Sequence, residues 1–211
     1  MNLILYDYKM APNARRARVL LAEKLVTHET IHIDLAAGEH LGDAYRAINP
    51  ACTVPALRLP DGTIITENTG IAAYIEAACP ERPMLGRTPV EKGLVASWNA
   101  RLEFEGLWAV GEAMRNSAPA MAGRALTGPA SFAQIPEIAA RGLLRIETFF
   151  DMLDARLQGR NFVAIDEFSM ADITAIVTVD FARVVRRKPK NEHENIARWR
   201  AALAERASVA A

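Results

Sequence analysis

The sequence predicts two structural halves, an α/β domain followed by an all-helical domain. Residues 1–79 alternate between strand and helix patterns, whereas residues 90–211 contain no convincing strand pair. The segment between them, residues 80–89, breaks regular structure and indicates a linker. It contains three prolines and one glycine: Pro80, Pro83, Gly86 and Pro89.

The first half opens with a strand, a helix and a second strand. Residues 2–6 form a short apolar run, and residues 15–25 carry apolar side chains on one helical face. Residues 28–33 then alternate in the manner of a strand. A strand, helix, strand unit of this kind pairs its two strands in parallel.

A hairpin and a closing helix complete the first half. The turn sequence Pro60-Asp61-Gly62 separates two apolar segments, 55–59 and 63–65, which is a strong hairpin signal. A helical pattern follows over residues 67–78. The resulting βαβ-α-ββα order places a parallel crossover beside an antiparallel pair in one small sheet. This order is thioredoxin-like.

The second half carries only helical patterns, so we expect a helical bundle. One helix start is well marked, because Ser169 followed by Asp172 forms a capping box between two apolar residues. We interpret this pair as structural, and Trp199 as a packing residue. The helices are expected over four segments: 90 to about 116, 135–157, 170–185 and 192–206.

Composition excludes several classes of function. The 25 basic and 25 acidic residues give no net charge, which does not favour nucleic acid. Neither a signal peptide nor a membrane span is indicated. Cys52 and Cys79 have no CxxC spacing, which favours a reducing compartment, and we expect a cytoplasmic protein. His28 and His32 have no third ligand near them in sequence, so no metal site is expected.

Six segments form a pattern in the first half: Ala11-Pro12-Asn13-Ala14, Gly38-Glu39-His40-Leu41, Ile48-Asn49-Pro50, Thr53-Val54-Pro55-Ala56-Leu57, Ile65-Thr66-Glu67-Asn68 and Ile71-Ala72-Ala73-Tyr74-Ile75. In this order, ahead of a proline-rich linker and a helical half, the whole chain resembles the cytosolic glutathione transferase family. Its first segment is most similar to bacterial Nu-like and Theta-like members. The resemblance implies glutathione as co-substrate, a small hydrophobic electrophile as second substrate, and a homodimer.

The resemblance also implies groups for two parts of the tripeptide. Val54 would offer its backbone N–H and C=O to the cysteinyl amide in the manner of an added strand, with a cis bond to Pro55. Glu67 and Asn68, at a helix start, would hold the γ-glutamyl ammonium and carboxylate respectively. The family usually has Glu-Ser at this pair, and a simple helix cap is the alternative interpretation.

For the glycine end of glutathione, the resemblance points to two further residues. His40 corresponds to a histidine that contacts this end in Theta-like members, although an ordinary loop histidine is the alternative. Thr53 stands where those members often have a lysine, which removes one cation from the glycine carboxylate. We therefore expect modest affinity for glutathione.

Activation of the thiol needs a hydrogen-bond donor, since a free thiol has a pKa of about 8.5 and the thiolate is the nucleophile. The family commonly uses a tyrosine, serine or threonine, yet Ala11 occupies the matching position and has no hydroxyl. Asn13 is our leading candidate, because its carbonyl can cap a helix while its NH₂ faces the sulfur. Tyr6 and Tyr8 are alternatives, as are backbone N–H donors alone or no catalysis.

Two arginines, Arg15 and Arg16, follow this turn and raise the local positive potential. Their position at the start of a helix predicts exposed side chains. Cys52 is a weaker candidate for a mixed disulfide with glutathione, since a lone cysteine usually behaves as a small apolar residue.

The second substrate is expected to contact the first helix of the helical half. Arg101, Phe104 and Trp108 offer a mixed apolar and polar wall there, although both aromatic residues fit a bundle core as well. The sequence therefore predicts a glutathione transferase acting on an electrophile or a peroxide. A glutathione-dependent disulfide reductase or peroxidase and a non-catalytic glutathione-binding regulatory protein of the same fold remain the alternatives.

Overall fold

The computed structural model describes residues 2–210, which form two compact units. The first unit comprises residues 2–82 with Thr127–Ala130. The second comprises Pro83–Leu126 with Ser131–Ala210.

The first unit has four strands and three helices with one 3₁₀ turn. In chain order they are β1 (Leu3–Asp7), α1 (Pro12–Glu23), β2 (His28–His32), the 3₁₀ turn Glu39–Leu41, α2 (Asp43–Arg46), β3 (Ala56–Arg58), β4 (Ile64–Thr66) and α3 (Asn68–Ala78). The predicted thioredoxin-like order is confirmed.

The sheet has the strand order β2-β1-β3-β4. Strand β1 lies parallel to β2 and antiparallel to β3, so Leu5 faces Thr30 on one side and Leu57 on the other. Strand β4 pairs antiparallel with β3 and closes the predicted hairpin. The parallel crossover and the antiparallel pair therefore share one sheet.

The two faces of this sheet bury different side chains, because successive residues of a strand point to opposite sides. Leu3 and Leu5 of β1 pack into a cluster with Leu21 of α1 and Ile71 of α3. Tyr6 belongs to the other cluster. That second cluster also contains Ala14, Ile33, Tyr45, Val54 and Ala56.

The second unit is entirely helical apart from one isolated bridge. Its elements are α4 (Pro89–Leu102), a π turn (Glu103–Leu107), α5 (Trp108–Ser117), the 3₁₀ turn Pro119–Met121, α6 (Pro136–Leu157), α7 (Met170–Phe181), the 3₁₀ turn Ala182–Val185, α8 (Glu194–Ala204) and the 3₁₀ turn Ala207–Ala210. Over residues 2–210, none of the helices has the length and apolar character that a membrane span requires.

The single helix predicted over residues 90–116 contains a π turn that the sequence pattern does not show. At this turn Gly106 lies against the core, and an added Cβ would stand 2.5 Å from the Phe149 ring and 2.8 Å from Thr178. The absence of a side chain permits this close approach. Because the helical direction continues through the turn, the apolar periodicity gives no sign of it.

The predicted capping box at the start of α7 is confirmed. Asp172 is fully buried and accepts hydrogen bonds from the N–H of Ser169 at 3.1 Å, the Ser169 hydroxyl at 3.0 Å and the Val163 N–H at 2.8 Å. Trp199 is buried as expected, and its Nε1 lies 3.4 Å from Asp172 Oδ1. Burial raises the pKa of Asp172 to about 6, against the lowering effect of these hydrogen bonds.

Candidate functional site

Helix α1 begins without a side-chain cap. It starts at Pro12, earlier than the predicted Arg15, and Ala11 occupies the N-cap position in extended conformation. The first backbone bond of the helix runs from the Arg15 N–H to the Ala11 carbonyl at 3.0 Å. Pro12 has no N–H, so the N–H groups of Asn13 and Ala14 are the first-turn donors without a helical acceptor.

Asn13 does not cap this helix, so that part of the prediction is wrong. Asn13 lies inside the first turn, past the N-cap position, and its Oδ1 accepts a hydrogen bond from Arg16 Nη1 at 3.3 Å. A guanidinium can only donate, which means that the amide oxygen faces Arg16 and the NH₂ group points away. No hydrogen bond in the described part of the chain uses this NH₂ group.

Asn13 is also held through its backbone. Its carbonyl accepts a hydrogen bond from Asn68 Nδ2 at 3.0 Å, which joins the start of α1 to the start of α3. Two residues that the sequence separates by 55 positions, both predicted to serve the site, are therefore in direct contact.

Arg16 is buried, with 2% of its surface exposed, so the predicted exposure is wrong for this residue. Helix α1 buries side chains around much of its circumference, and Ala14, Ala17 and Val19 are fully enclosed with it. Arg15 is only partly buried. The spacing of apolar residues cannot reveal a buried charge at this position, because the pattern counts an arginine as polar.

Arg18, in the second turn of α1, is a further residue near the site that the sequence did not identify. Its Nη1 lies 2.5 Å from Asp7 Oδ1 at the end of β1, and its Nη2 donates to the Lys9 carbonyl at 3.1 Å. Both partners flank the loop that leads to Ala11. Arg18 therefore fixes the path of the chain from β1 into α1.

The two tyrosines near this turn differ in exposure. Tyr6 has 4% of its surface exposed, and its ring packs edge to face against Tyr45 with centroids 5.9 Å apart. Tyr8 is only partly buried and lies beside His32, with 5.5 Å between ring centroids. Of the two, Tyr8 keeps the larger surface for contact with a ligand.

The loop before β3 is fixed by a small hydrogen-bond network. The Thr53 carbonyl accepts from the Tyr45 hydroxyl at 2.7 Å and from Asn49 Nδ2 at 2.8 Å. Burial raises the pKa of Tyr45 to about 12, so its hydroxyl remains a donor at all ordinary pH values. The sequence did not predict that Tyr45 and Asn49 hold this loop, although the Asn49-Pro50 pair is a signal for a turn.

The peptide bond between Val54 and Pro55 is cis, as the resemblance implied. Val54 belongs to the buried cluster that includes Ala14, and Ala11 packs against that cluster. In the part of the chain that the structure describes, no hydrogen bond uses the Val54 N–H or C=O. This backbone segment thus offers a donor and an acceptor close to the start of α1.

The start of α3 combines a strained residue with unused backbone donors. Glu67 has a φ of 61°, a conformation that costs a side-chain-bearing residue about 1–3 kcal/mol, and it is exposed. The first helical bond runs from the Ile71 N–H to the Glu67 carbonyl at 3.0 Å, which leaves the N–H groups of the preceding turn without a helical acceptor. Asn68 is buried, and its Oδ1 has no partner among residues 2–210.

His40 lies in the 3₁₀ turn Glu39–Leu41 and is 3% exposed.

Cys52 is similarly buried, at 2% exposed, so its sulfur is not accessible for a mixed disulfide in this conformation. Both cysteines are free thiols. Among the described residues, no three His, Cys, Asp or Glu side chains are grouped so that they could hold a metal ion.

The candidate residues of the helical unit lie at its surface. Phe104 and Trp108 are 67% and 53% exposed, so the interpretation of these aromatics as bundle core is wrong. The π turn and the first residue of α5 carry them outward. Arg145 lies over the Phe104 ring at 4.8 Å, and Arg101 is paired with Glu105 at 2.8 Å.

Comparison with known proteins gives one consistent result. The N-terminal domain model of glutathione S-transferases matches residues 11–78, and the C-terminal domain model matches residues 130–207. The chain is 35% identical to glutathione S-transferase 2 of Saccharomyces cerevisiae over 210 residues, which is 98% of this chain and 88% of that one.

Solved structures agree with these matches. The crystal structure of Gtt2 from Saccharomyces cerevisiae has a TM-score of 0.88 and 35% identity, covering 98% of each chain. A glutathione S-transferase from Methylobacillus flagellatus KT, crystallised with glutathione bound, has a TM-score of 0.83 and 25% identity, covering 99% of this chain and 98% of that one.

Proposed function

Because this chain belongs to the glutathione S-transferase family, we propose that it binds glutathione, stabilises the thiolate and conjugates it to a hydrophobic electrophile or reduces a peroxide. One observation carries the proposal. Arg16 holds the amide oxygen of Asn13, so the NH₂ group is left as a donor at the uncapped start of α1. This arrangement replaces the hydroxyl that Ala11 lacks.

The γ-glutamyl end of glutathione is assigned to the start of α3. The unused N–H groups of its first turn and the positive end of the helix dipole favour the γ-glutamyl carboxylate. The exposed Glu67 carboxylate suits the ammonium group. One hydrogen of the Asn68 amide is already donated to the Asn13 carbonyl, so Asn68 contributes a single remaining N–H to the γ-glutamyl carboxylate. The same hydrogen bond connects the γ-glutamyl site with Asn13, the residue assigned to the thiol.

The cysteinyl and glycine parts are assigned to the loop before β3. The Val54 N–H and C=O, which no hydrogen bond among residues 2–210 uses, suit the cysteinyl amide. Thr53 before it is held through its carbonyl, and the bond to Pro55 after it is cis. The glycine carboxylate meets the neutral Thr53, where a cation would bind more strongly. Since His40 is buried, we propose that it supports the loop around the glycine carboxylate and has little surface for direct contact with glutathione.

Thiol activation follows from the donors at the start of α1. A hydrogen bond to a charged group contributes about 1.5–3 kcal/mol, which lowers the thiol pKa by about one to two units if it forms only with the anion. The Asn13 NH₂ group and the N–H groups of Asn13 and Ala14 all suit this task. The thiolate then attacks the electrophilic carbon, a C–S bond forms, and the leaving group departs with the electron pair of the broken bond.

The electrophile is assigned to the exposed surface of the helical unit that carries Arg101, Phe104 and Trp108. Two aromatic faces exposed within five residues are suited to a flat apolar substrate. Arg101 adds a cation for a polar or anionic substituent. This assignment predicts that aromatic electrophiles are better substrates than aliphatic ones of the same reactivity.

Two assays with the full chain test the proposal. Retention on immobilised glutathione tests binding, and a rate panel with aromatic halides, peroxides and glutathione mixed disulfides tests the reaction. Turnover of halides or peroxides supports the transferase. Preference for mixed disulfides identifies a reductase instead. Retention without any turnover identifies a binding protein, the alternative favoured by the missing hydroxyl at Ala11 and the missing cation at Thr53.

We also propose a cytoplasmic homodimer. The two free thiols favour a reducing compartment. Val90 and Leu94, one helical turn apart on α4, are 71% and 42% exposed, which suits a surface that a second copy covers. Sedimentation equilibrium of the wild type and of Leu94→Lys tests the dimer, since a monomeric wild type contradicts it.

A further inference from the structure

We infer that Arg16 is a positioning residue that determines which end of the Asn13 amide faces the thiol of glutathione. The inference rests on the proposed activation by Asn13 and goes beyond it, because it assigns a role to a residue behind the donor. Arg16 touches neither the sulfur nor the electrophile in this account. It acts through the contact from its Nη1 to Asn13 Oδ1.

The side-chain amide of an asparagine is nearly symmetric in shape. The oxygen and the NH₂ group of an asparagine have nearly the same size, so packing alone does not decide between two orientations that differ by a half turn. One orientation presents donors to the thiolate, and the other presents an oxygen that repels it. A neighbour that accepts only one orientation therefore keeps the donors directed toward the thiolate before glutathione binds.

Arg16 meets this requirement on two grounds. Its guanidinium carries donors and no acceptor, so only the amide oxygen makes a favourable contact with it. Arg16 is also 2% exposed, which restricts the movement of its side chain and strengthens the preference in surroundings of low dielectric constant. The reverse orientation of Asn13 would place an NH₂ group against a buried cation.

The backbone of Asn13 is fixed independently. Asn68 Nδ2 donates to the Asn13 carbonyl at 3.0 Å, so the start of α3 also anchors the main chain at this residue. Asn13 is therefore held at both of its oxygens by two different donors. Of the Asn13 side chain, the NH₂ group is left for a ligand.

A direct effect of charge is the competing explanation, because a buried cation near the thiolate also lowers the pKa of the thiol. The two explanations differ in their dependence on Asn13. A positioning effect disappears when Asn13 is removed, whereas a direct electrostatic effect persists. A double-mutant cycle separates them.

The experiment measures the thiolate fraction of glutathione bound to the full chain at neutral pH, by the ultraviolet absorbance of the thiolate. Arg16→Gln offers both a donor and an acceptor to Asn13, so both orientations of the amide become equally favourable. Half of the molecules then present the donor, and we expect the thiolate fraction to fall by about twofold. Arg16→Lys has donors only, keeps the preference and is expected to retain the wild-type fraction. Arg15→Gln removes a charge from the same turn and serves as the control for charge alone.

The cycle is completed in the Asn13→Ala background, where Arg16→Gln should cause no further fall. A second full fall in that background overturns the inference in favour of direct charge. An unchanged thiolate fraction in Arg16→Gln, with a fall in Asn13→Ala, overturns the inference and leaves the proposed function intact. An unchanged fraction in Asn13→Ala contradicts the activation itself.

Asn13→Asp keeps the test decisive if Arg16→Gln does not fold. The aspartate presents oxygen to Arg16 in either orientation and has no donor for the sulfur. We expect stability at least equal to wild type and a thiolate fraction as low as in Asn13→Ala. A fraction equal to wild type would show that the NH₂ group is not the donor, and a clear loss of stability would show that Arg16 does not face the oxygen.

Discussion

Helices α1 and α7 begin in opposite ways. At the start of α7, Asp172 accepts hydrogen bonds from two backbone N–H groups, a hydroxyl and an indole, and the site is closed to solvent. At the start of α1, Ala11 offers no cap and the first-turn N–H groups have no helical acceptor. The N-terminus of α7 is therefore closed by its own side chains, whereas the N-terminus of α1 is open to a ligand.

The difference lies in what satisfies the donors. When side chains accept the hydrogen bonds at a helix start, the saturated start stabilises the fold and offers no donor to a ligand. When the first-turn N–H groups have no acceptor, the fold is less stable, but these donors remain available to a thiolate. We therefore expect changes at Asp172 to act on folding and changes at Asn13 to act on chemistry.

The largest effect is expected for Asp172→Asn. Donors face both carboxylate oxygens, so either orientation of the new amide places its NH₂ group against a donor, and the free energy of unfolding should fall by about 2–4 kcal/mol at pH 7. Denaturation by urea measures this. The exposed neighbour Asp166→Asn is the control and should change it by less than about 0.5 kcal/mol. Equal effects of the two substitutions would show that the saturated start of α7 does not stabilise the fold.

The difference in unfolding free energy between wild type and Asp172→Asn should also depend on pH, which is the second effect. The pKa of Asp172 is about 6 in the folded chain and near 3.8 when unfolded, so the folded state holds the proton more tightly. Its contribution is therefore fully present below about pH 4 and is lost as the pH rises through 6, a change of roughly 3 kcal/mol at most.

The stability advantage of wild type over Asp172→Asn should accordingly be larger at pH 4 than at pH 7. Denaturation curves of both proteins at the two pH values check this, since the titration of all other groups cancels in the difference. If the stability advantage of wild type is instead larger at pH 7, the hydrogen bonds to the carboxylate stabilise its charged form by more than burial destabilises it.

The smallest effect is expected for Ala11→Ser, which gives α1 the kind of cap that α7 has. A serine oxygen at the N-cap should accept a first-turn N–H and raise the free energy of unfolding by about 1 kcal/mol. Thermal unfolding measures the gain, and Ala11→Val, which cannot cap, is the matched control. If serine and valine behave alike, the donors of α1 are already satisfied and the contrast with α7 fails.

Features that depend on local signals were predictable from the sequence. The hairpin follows from Pro60-Asp61-Gly62, and the capping box follows from Ser169 and Asp172, because turns and caps are determined by residues close together in the chain. The strand and helix order follows from periodicity. These are the features that the structure confirms.

Features that depend on contacts between distant segments were not predictable. Periodicity counts Arg16 as polar, so it places this side chain outside, while the structure encloses it. The contact between Asn13 and Asn68 joins two helix starts that only the folded sheet brings together. The π turn at Gly106 depends on the ring of Phe149, which lies on another helix.

The central claim is that Asn13 stabilises the glutathione thiolate, and titration of bound glutathione tests it most directly. The absorbance of the thiolate is followed against pH with wild type and with Asn13→Ala, and urea denaturation confirms that both are equally folded. We expect a thiol pKa in wild type well below that of free glutathione, and a return toward the free value in Asn13→Ala. Identical titration curves for the two proteins would contradict it.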